Sequence, residues 1–166
     1  MLCSFPSAAQ VQTKDGVRQG DSGWVLREDG IGPVLVGMTL EQLNKVLGET
    51  FSMPQSKEEQ ACFYVEPSHH PQVGFMMMRG RVARIDVTRA GIFTSKHIEV
   101  GDSEARALQA YGSSLKVEPH AYSAPDGHYL TIRSGRYGLR FETYKGKIDM
   151  FYAGRSDAIQ YIEGCQ

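Results

Sequence analysis

The tetrapeptide Val36-Gly37-Met38-Thr39 returns 64 residues later as Val100-Gly101-Asp102-Ser103. Behind each copy stands an amphipathic stretch that ends in glycine, TLEQLNKVLG to Gly48 and SEARALQAYG to Gly112, and these glycines keep the offset of 64. Further on, VGFMMMRGRV (Val73 to Val82) matches YGLRFETYKGKI (Tyr137 to Ile148). Gly74 and Gly138 hold the same offset, while Gly80 and Gly146 lie 66 apart, a two-residue insertion. A helix start, a helix end and a hairpin recurring in one order read as a duplicated unit, and such self-similarity outweighs any single motif as a guide to architecture.

Local chemistry fills in each unit. Thr39 and Ser103 are helix N-caps, whose hydroxyls accept from an otherwise orphaned N–H. Gln42 follows Thr39 at capping-box spacing. Leu40, Leu43, Val46 and Leu47 share one helical face, as do Ala107, Leu108, Ala110 and Tyr111. Gly48 and Gly112 stand where a left-handed residue stops a helix. Helices of about eight residues are not stable alone, so they must lean on a sheet. Its strands are predicted at Ala61–Glu66, Val73–Met78 and Arg81–Thr88, then at His128–Arg133, Tyr137–Tyr144 and Lys147–Tyr152. Arg79-Gly80 and Lys145-Gly146 are the hairpin tips.

The predicted fold class is α+β: two tandem repeats of a helix plus three antiparallel strands, forming one sheet with the short helices on one face. Residues 1–23 read as a flexible lead-in, 24–95 as repeat one and 96–166 as repeat two of a single unit. Trp24 to Val36 adds a hairpin-like element. Ala158 to Cys165 reads as a strand or a helical turn.

Composition narrows the class. Of the 166 residues 41% are hydrophobic and 22% charged, which excludes whole-chain disorder. Eighteen basic residues stand against 19 acidic ones, net −1, so no basic excess points to nucleic acid. No apolar run approaches the roughly 20 residues of a membrane span.

Of the three cysteines, Cys62 and Cys165 fall in ordered-looking segments and are predicted to pair, which implies an oxidising compartment; two buried free thiols are the alternative. Cys3 lies in MLCSFPSAAQ, which reads as a truncated signal remnant, as a lipoprotein tail at Leu2-Cys3, or as a plain terminus. No CxxC pair or zinc spacing is present, and no metal or cofactor is predicted.

Alternation at period two sorts the sheet faces. Phe63, Val65, Val73, Phe75, Met77, Ile85 and Val87 point to one face, with Leu130, Ile132, Tyr137, Leu139, Phe141, Ile148, Met150 and Tyr152. The opposite face carries Met76, Arg84, Asp86 and Phe151. It also carries the predicted binding residues Tyr64, Tyr129, Arg133, Arg140, Glu142 and Tyr144. Tyr, Met and Arg are interface types. His69-His70 reads as a solvated loop. His128, Asp126 and Ser123 share one loop, a spacing that does not make a catalytic triad. No nucleophile elbow, phosphate loop or HExxH is present, so no catalytic residue is assigned and the chain is not read as an enzyme.

The order VGMT, short helix, glycine and three-stranded sheet, found twice, resembles the beta-lactamase inhibitory protein family. The VGMT element is also similar to small outer-membrane assembly lipoproteins of the SmpA/OmlA type. GIGPVLVGMT (Gly30 to Thr39), with the EGC ending, resembles uncharacterised proteobacterial secreted proteins. The first resemblance implies a tandem α/β unit whose sheet forms a concave protein-binding face, although that family carries a disulfide within each repeat. The resulting expectation is a periplasmic or extracellular protein-binding module of inhibitor, immunity or envelope-assembly type, acting on another protein through its exposed sheet face. The alternative is a small-ligand binder or enzyme with a pocket between helices and sheet.

Overall fold

The protein is described here by a computed structural model covering residues 23–165. Cys3, MLCSFPSAAQ and nearly all of the lead-in lie outside the described residues. In chain order the elements are β1 (Val25–Arg27), β2 (Gly30–Ile31), β3 (Val34–Leu35), α1 (Leu40–Leu47), α2 (Lys57–Ala61), β4 (Cys62–Val65), β5 (Val73–Met78) and β6 (Arg81–Val87). Then follow β7 (Phe93–Thr94), α3 (Glu104–Tyr111), β8 (Lys116–Pro119), β9 (Gly127–Ser134), β10 (Tyr137–Tyr144) and β11 (Lys147–Arg155). A 3-10 turn at Ala158–Gln160 opens the C-terminal segment.

Two sheets form, one of four strands ordered β3-β2-β1-β7 and one of seven ordered β4-β5-β6-β11-β10-β9-β8. The large sheet is antiparallel throughout. In the small one β7 runs parallel to β1. This corrects the predicted α+β architecture, a single sheet made by two tandem helix-plus-three-strand repeats with the short helices on one face: the described residues are mostly β, in two sheets. The reason is area. An eight-residue helix is about 12 Å long, whereas seven strands span about 29 Å. The uncovered apolar surface is closed by the small sheet, which contributes the buried Leu26, Ile31 and Val34 to the same core. β8, which sequence alternation does not reveal, extends one edge of the large sheet.

The helix starts form as their caps require. Thr39 Oγ1 accepts from Gln42 N at 3.2 Å and Gln42 Oε1 from Thr39 N at 2.9 Å. Ser103 Oγ accepts from Arg106 N. Each helix is also pinned to a hairpin tip: Leu40 N donates to Gly80 O and Glu104 N to Gly146 O.

The core face carries Phe63, Val65, Phe75, Met77, Ile85, Leu130, Leu139 and Phe141, as alternation predicts. One stretch, Met150 to Tyr152, is reversed. A β-bulge disturbs the β10–β11 register between Glu142 and Thr143. An unpaired extra residue shifts the alternation by one. Phe151 therefore enters the core, and Tyr152 turns to the opposite face. Met150 leaves the core set with it.

Candidate functional site

The polar face of the large sheet is organised in rows set by register. One row runs Tyr64, Met76, Arg84, Gly154, Gly138, Arg133. The next runs Asp86, Tyr152, Arg140, Thr131, Lys116. The paired Gly138 and Gly154 leave the centre of the first row without a side chain. Residues 156–165 lie over that centre as a strap. Ile159 fills the gap: a Cβ on Gly138 would come within 2.5 Å of Ile159 Cδ1. Ala158 and Ile159 are fully buried.

Two arginines hold the strap. Arg84 is 3% exposed. Its Nε and Nη2 donate to the two carboxylate oxygens of Asp86 at 2.7 and 2.8 Å. Nη2 also reaches Tyr64 Oη, and Nη1 donates to the backbone carbonyls of Tyr161 at 2.7 Å and Ala158 at 3.4 Å. The guanidinium lies over the Tyr152 ring. Burial alone would lower the Arg84 pKa, but the Asp86 hydrogen bonds and charge outweigh it and push the value up. Arg140, 4% exposed, donates to Thr131 Oγ1 and to the Gln160 side-chain oxygen at 2.7 Å, above the Tyr129 ring. The Cys62–Cys165 disulfide then ties the strap's end to the edge strand β4.

The network continues. Tyr152 Oη donates to Glu142 Oε1 at 2.8 Å, and Glu142 Oε2 lies 3.1 Å from His120 Nε2. His120 Nδ1 accepts from Tyr122 N, so Nε2 bears the proton shared with Glu142. The His120 ring stacks on Tyr129. At the surface Tyr122 Oη donates to the Glu163 carboxylate. Tyr122, Tyr161 and Ile162 are all exposed, Tyr122 by 69%.

The six predicted binding residues divide accordingly. Tyr129, Arg140 and Glu142 come together, but beneath the strap and the 120–126 loop rather than in the open. Tyr64 is half-buried and bonded to Asp86. Arg133 is exposed at the far end of its row. Tyr144 stands apart at the β10–β11 tip, 46% exposed and under the Lys145 ammonium. Among the described residues no group of three or more His, Cys, Asp or Glu is placed to hold a metal. His70 stacks on Trp24. His128 Nδ1 pairs with Glu104, which also accepts from Thr143, so it forms no set with Ser123 and Asp126. The space between helices and large sheet is filled by Leu43, Ala107, Phe141 and Phe151.

Two tyrosines give the face a pH signature. Burial, then the charge of Asp86, pushes the Tyr64 phenol up; burial, then Glu142, does the same for Tyr152. Their folded values lie above the unfolded value of about 10, so the stability they contribute is full below about pH 10 and falls as pH rises through the folded values. Melting temperature is expected to drop above about pH 10, and ultraviolet difference spectra to show some of the eight tyrosines ionising only as the chain unfolds. Tyr152→Phe should reduce the drop; an unchanged alkaline slope in that variant counts against the assignment.

No family model matches the chain, and no curated protein matches it. Among solved structures the chain is similar to the crystal structure of a DUF4309 family protein, YjgB, from Bacillus subtilis, with a TM-score of 0.51 at 13% identity over 81% of this chain and 89% of that one. The likeness is one of fold. Among the described residues no helix is long and apolar enough to cross a membrane.

Proposed function

We propose that the protein is a secreted or periplasmic module that binds another protein through the strapped side of its large sheet. The supporting observation is the exposure of Tyr122, Tyr161 and Ile162 on two segments, the 120–126 loop and the strap, that the Tyr122–Glu163 bond joins and the disulfide fixes. Aromatic groups held still in this way offer contact area at small entropic cost. The disulfide supports an oxidising compartment. Arg84, Asp86, Arg140, Glu142 and Tyr152 bond to one another, to the strap or to neighbouring side chains, so they support the contact surface rather than form it. The resemblance to inhibitory and envelope-assembly proteins accords with this reading.

The test compares affinity capture from an envelope extract by the wild-type protein and by Tyr122→Ser and Ile162→Ser. Surface changes usually stay within about 0.5 kcal/mol of wild-type stability, whereas a hot-spot residue carries about 2 kcal/mol or more of binding. Melting temperature should hold while a captured protein is lost. Capture that survives both substitutions places the contact elsewhere.

A further inference from the structure

The strap itself behaves as a ligand. Ser156 anchors its start, its N–H donating to Arg136 O and its hydroxyl meeting the carbonyls of Gly135 and Tyr137; beyond it Gln160 N and Tyr161 N donate within the strap, to Asp157 O and Ala158 O, and not to the sheet. What fixes it to the face is a short list of groups that any peptide can supply. Two main-chain carbonyls meet Arg84 Nη1, one side-chain amide oxygen meets Arg140 Nη2, and one branched aliphatic side chain sits over Gly138. Asp86 and Thr131 aim these arginines from below, so the receiving groups keep their own partners when the strap leaves. A segment held by side chains rather than by a strand ladder opens more readily than the sheet beneath it, even with Ala158 and Ile159 fully buried. The partly buried disulfide, outside the core, and the surface Tyr122–Glu163 bond are its remaining tethers.

We propose that the Arg84–Arg140–Gly138 groove is a peptide-binding site held closed by the protein's own C-terminal strap, and that it opens when a dithiol reduces Cys62–Cys165 to admit a segment of a partner protein that takes the same 3-10 turn and bears a branched aliphatic residue followed by Gln or Glu. In the opening step a thiolate of the dithiol attacks one sulfur and the S–S bond breaks to a mixed disulfide. The second thiol then resolves it. The dithiol is oxidised to a disulfide, and two protons end on Cys62 and Cys165. The groove is distinct from the Tyr122–Tyr161–Ile162 rim, which needs the strap in place, and it stands whether or not the rim binds. The specificity follows from the strap: Gln160 Oε1 is the acceptor for Arg140, and a Glu carboxylate at that position strengthens the same contact.

The probe is a labelled synthetic peptide of residues 156–164 added to the full chain. Because the attached strap competes at high effective concentration, the receiving chain is Cys165→Ser with Ile159→Ser and Gln160→Ala, checked for a folded sheet by near-ultraviolet circular dichroism. Saturable binding is expected, at least about ten-fold tighter than to the oxidised wild type. It should be lost with a peptide carrying Ser for Ile159, and lost again with Gly138→Ala, whose Cβ fills the gap and also comes within 2.7 Å of Ile132 O, so this variant is checked for a folded sheet in the same way. A folded receiving chain that does not bind overturns the proposal, as does binding that ignores the Ile159 or Gly138 change. A dimer that exchanges straps and excludes the peptide overturns it in favour of a second copy. Should that variant fail to fold, wild-type hydrogen exchange over residues 156–164 decides. Faster exchange on reduction, with the β9–β11 amides unchanged, supports opening; no change refutes it.

Discussion

Arg84→Met is expected to lower the free energy of unfolding by about 3–5 kcal/mol, because removing one partner of a buried ion pair strands the other. Asp86 would keep only the Tyr64 hydroxyl, in a site where it is 6% exposed. The carbonyls of Ala158 and Tyr161 would lose their donor as well. Urea denaturation measures the loss, and hydrogen exchange over the strap should rise with it. The control is the pair: Arg84→Met combined with Asp86→Leu removes both charges, and buried pairs replaced by apolar groups of similar size are often neutral. The double variant should therefore be more stable than Arg84→Met alone. If the single change costs less than about 1 kcal/mol, water reaches Asp86 and the network is not the anchor described.

How much of this is legible in the sequence depends on how local the cause is. Thr39, Gln42 and Gly48 specify α1 because capping acts within one turn of chain. The core set from Phe63 to Phe141 follows from strand alternation for the same reason. The exchange of Phe151 for Tyr152 does not, since a bulge is a property of two strands and leaves no mark in one. The two-sheet arrangement escapes as well: β1, β2 and β3 have two or three residues each, too few to show a period. At the site, the polar residues are named by alternation, but their burial is not. Yet the signal for the strap is present. Cys62 has the parity of Tyr64, on the polar face, so a bond from Cys165 to Cys62 carries the chain's end across that face. The pairing and the parity are each readable; only taken together do they cover Arg140 and Tyr129. Gly138 is the remaining clue, read in the sequence as a marker of internal repetition, and in the structure the space that Ile159 occupies.

Cys165→Ser is expected to cost about 2–5 kcal/mol, and the loss should arise in the unfolded chain more than in the folded one. The bond joins residues 103 apart, and the chain-entropy description assigns a closed loop of that length about 4.7 kcal/mol. In the folded state the bond lies on the polar side, while Phe75, Phe141 and Phe151 pack on the other, so the core loses no contact. Two observables separate these origins. If the crosslink acts on the unfolded ensemble, its removal exposes more surface on unfolding and the urea m-value rises, by less where the freed strap has already lifted from the folded sheet. Near-ultraviolet circular dichroism of the core aromatics should remain that of the wild type below the transition. A loss of stability with an unchanged m-value and altered aromatic signals would mean that the bond props the native packing instead. Cys62→Ser should reproduce the Cys165→Ser result, since either change removes the same loop; a marked difference between them would point to a separate packing role for the Cys62 side chain on β4.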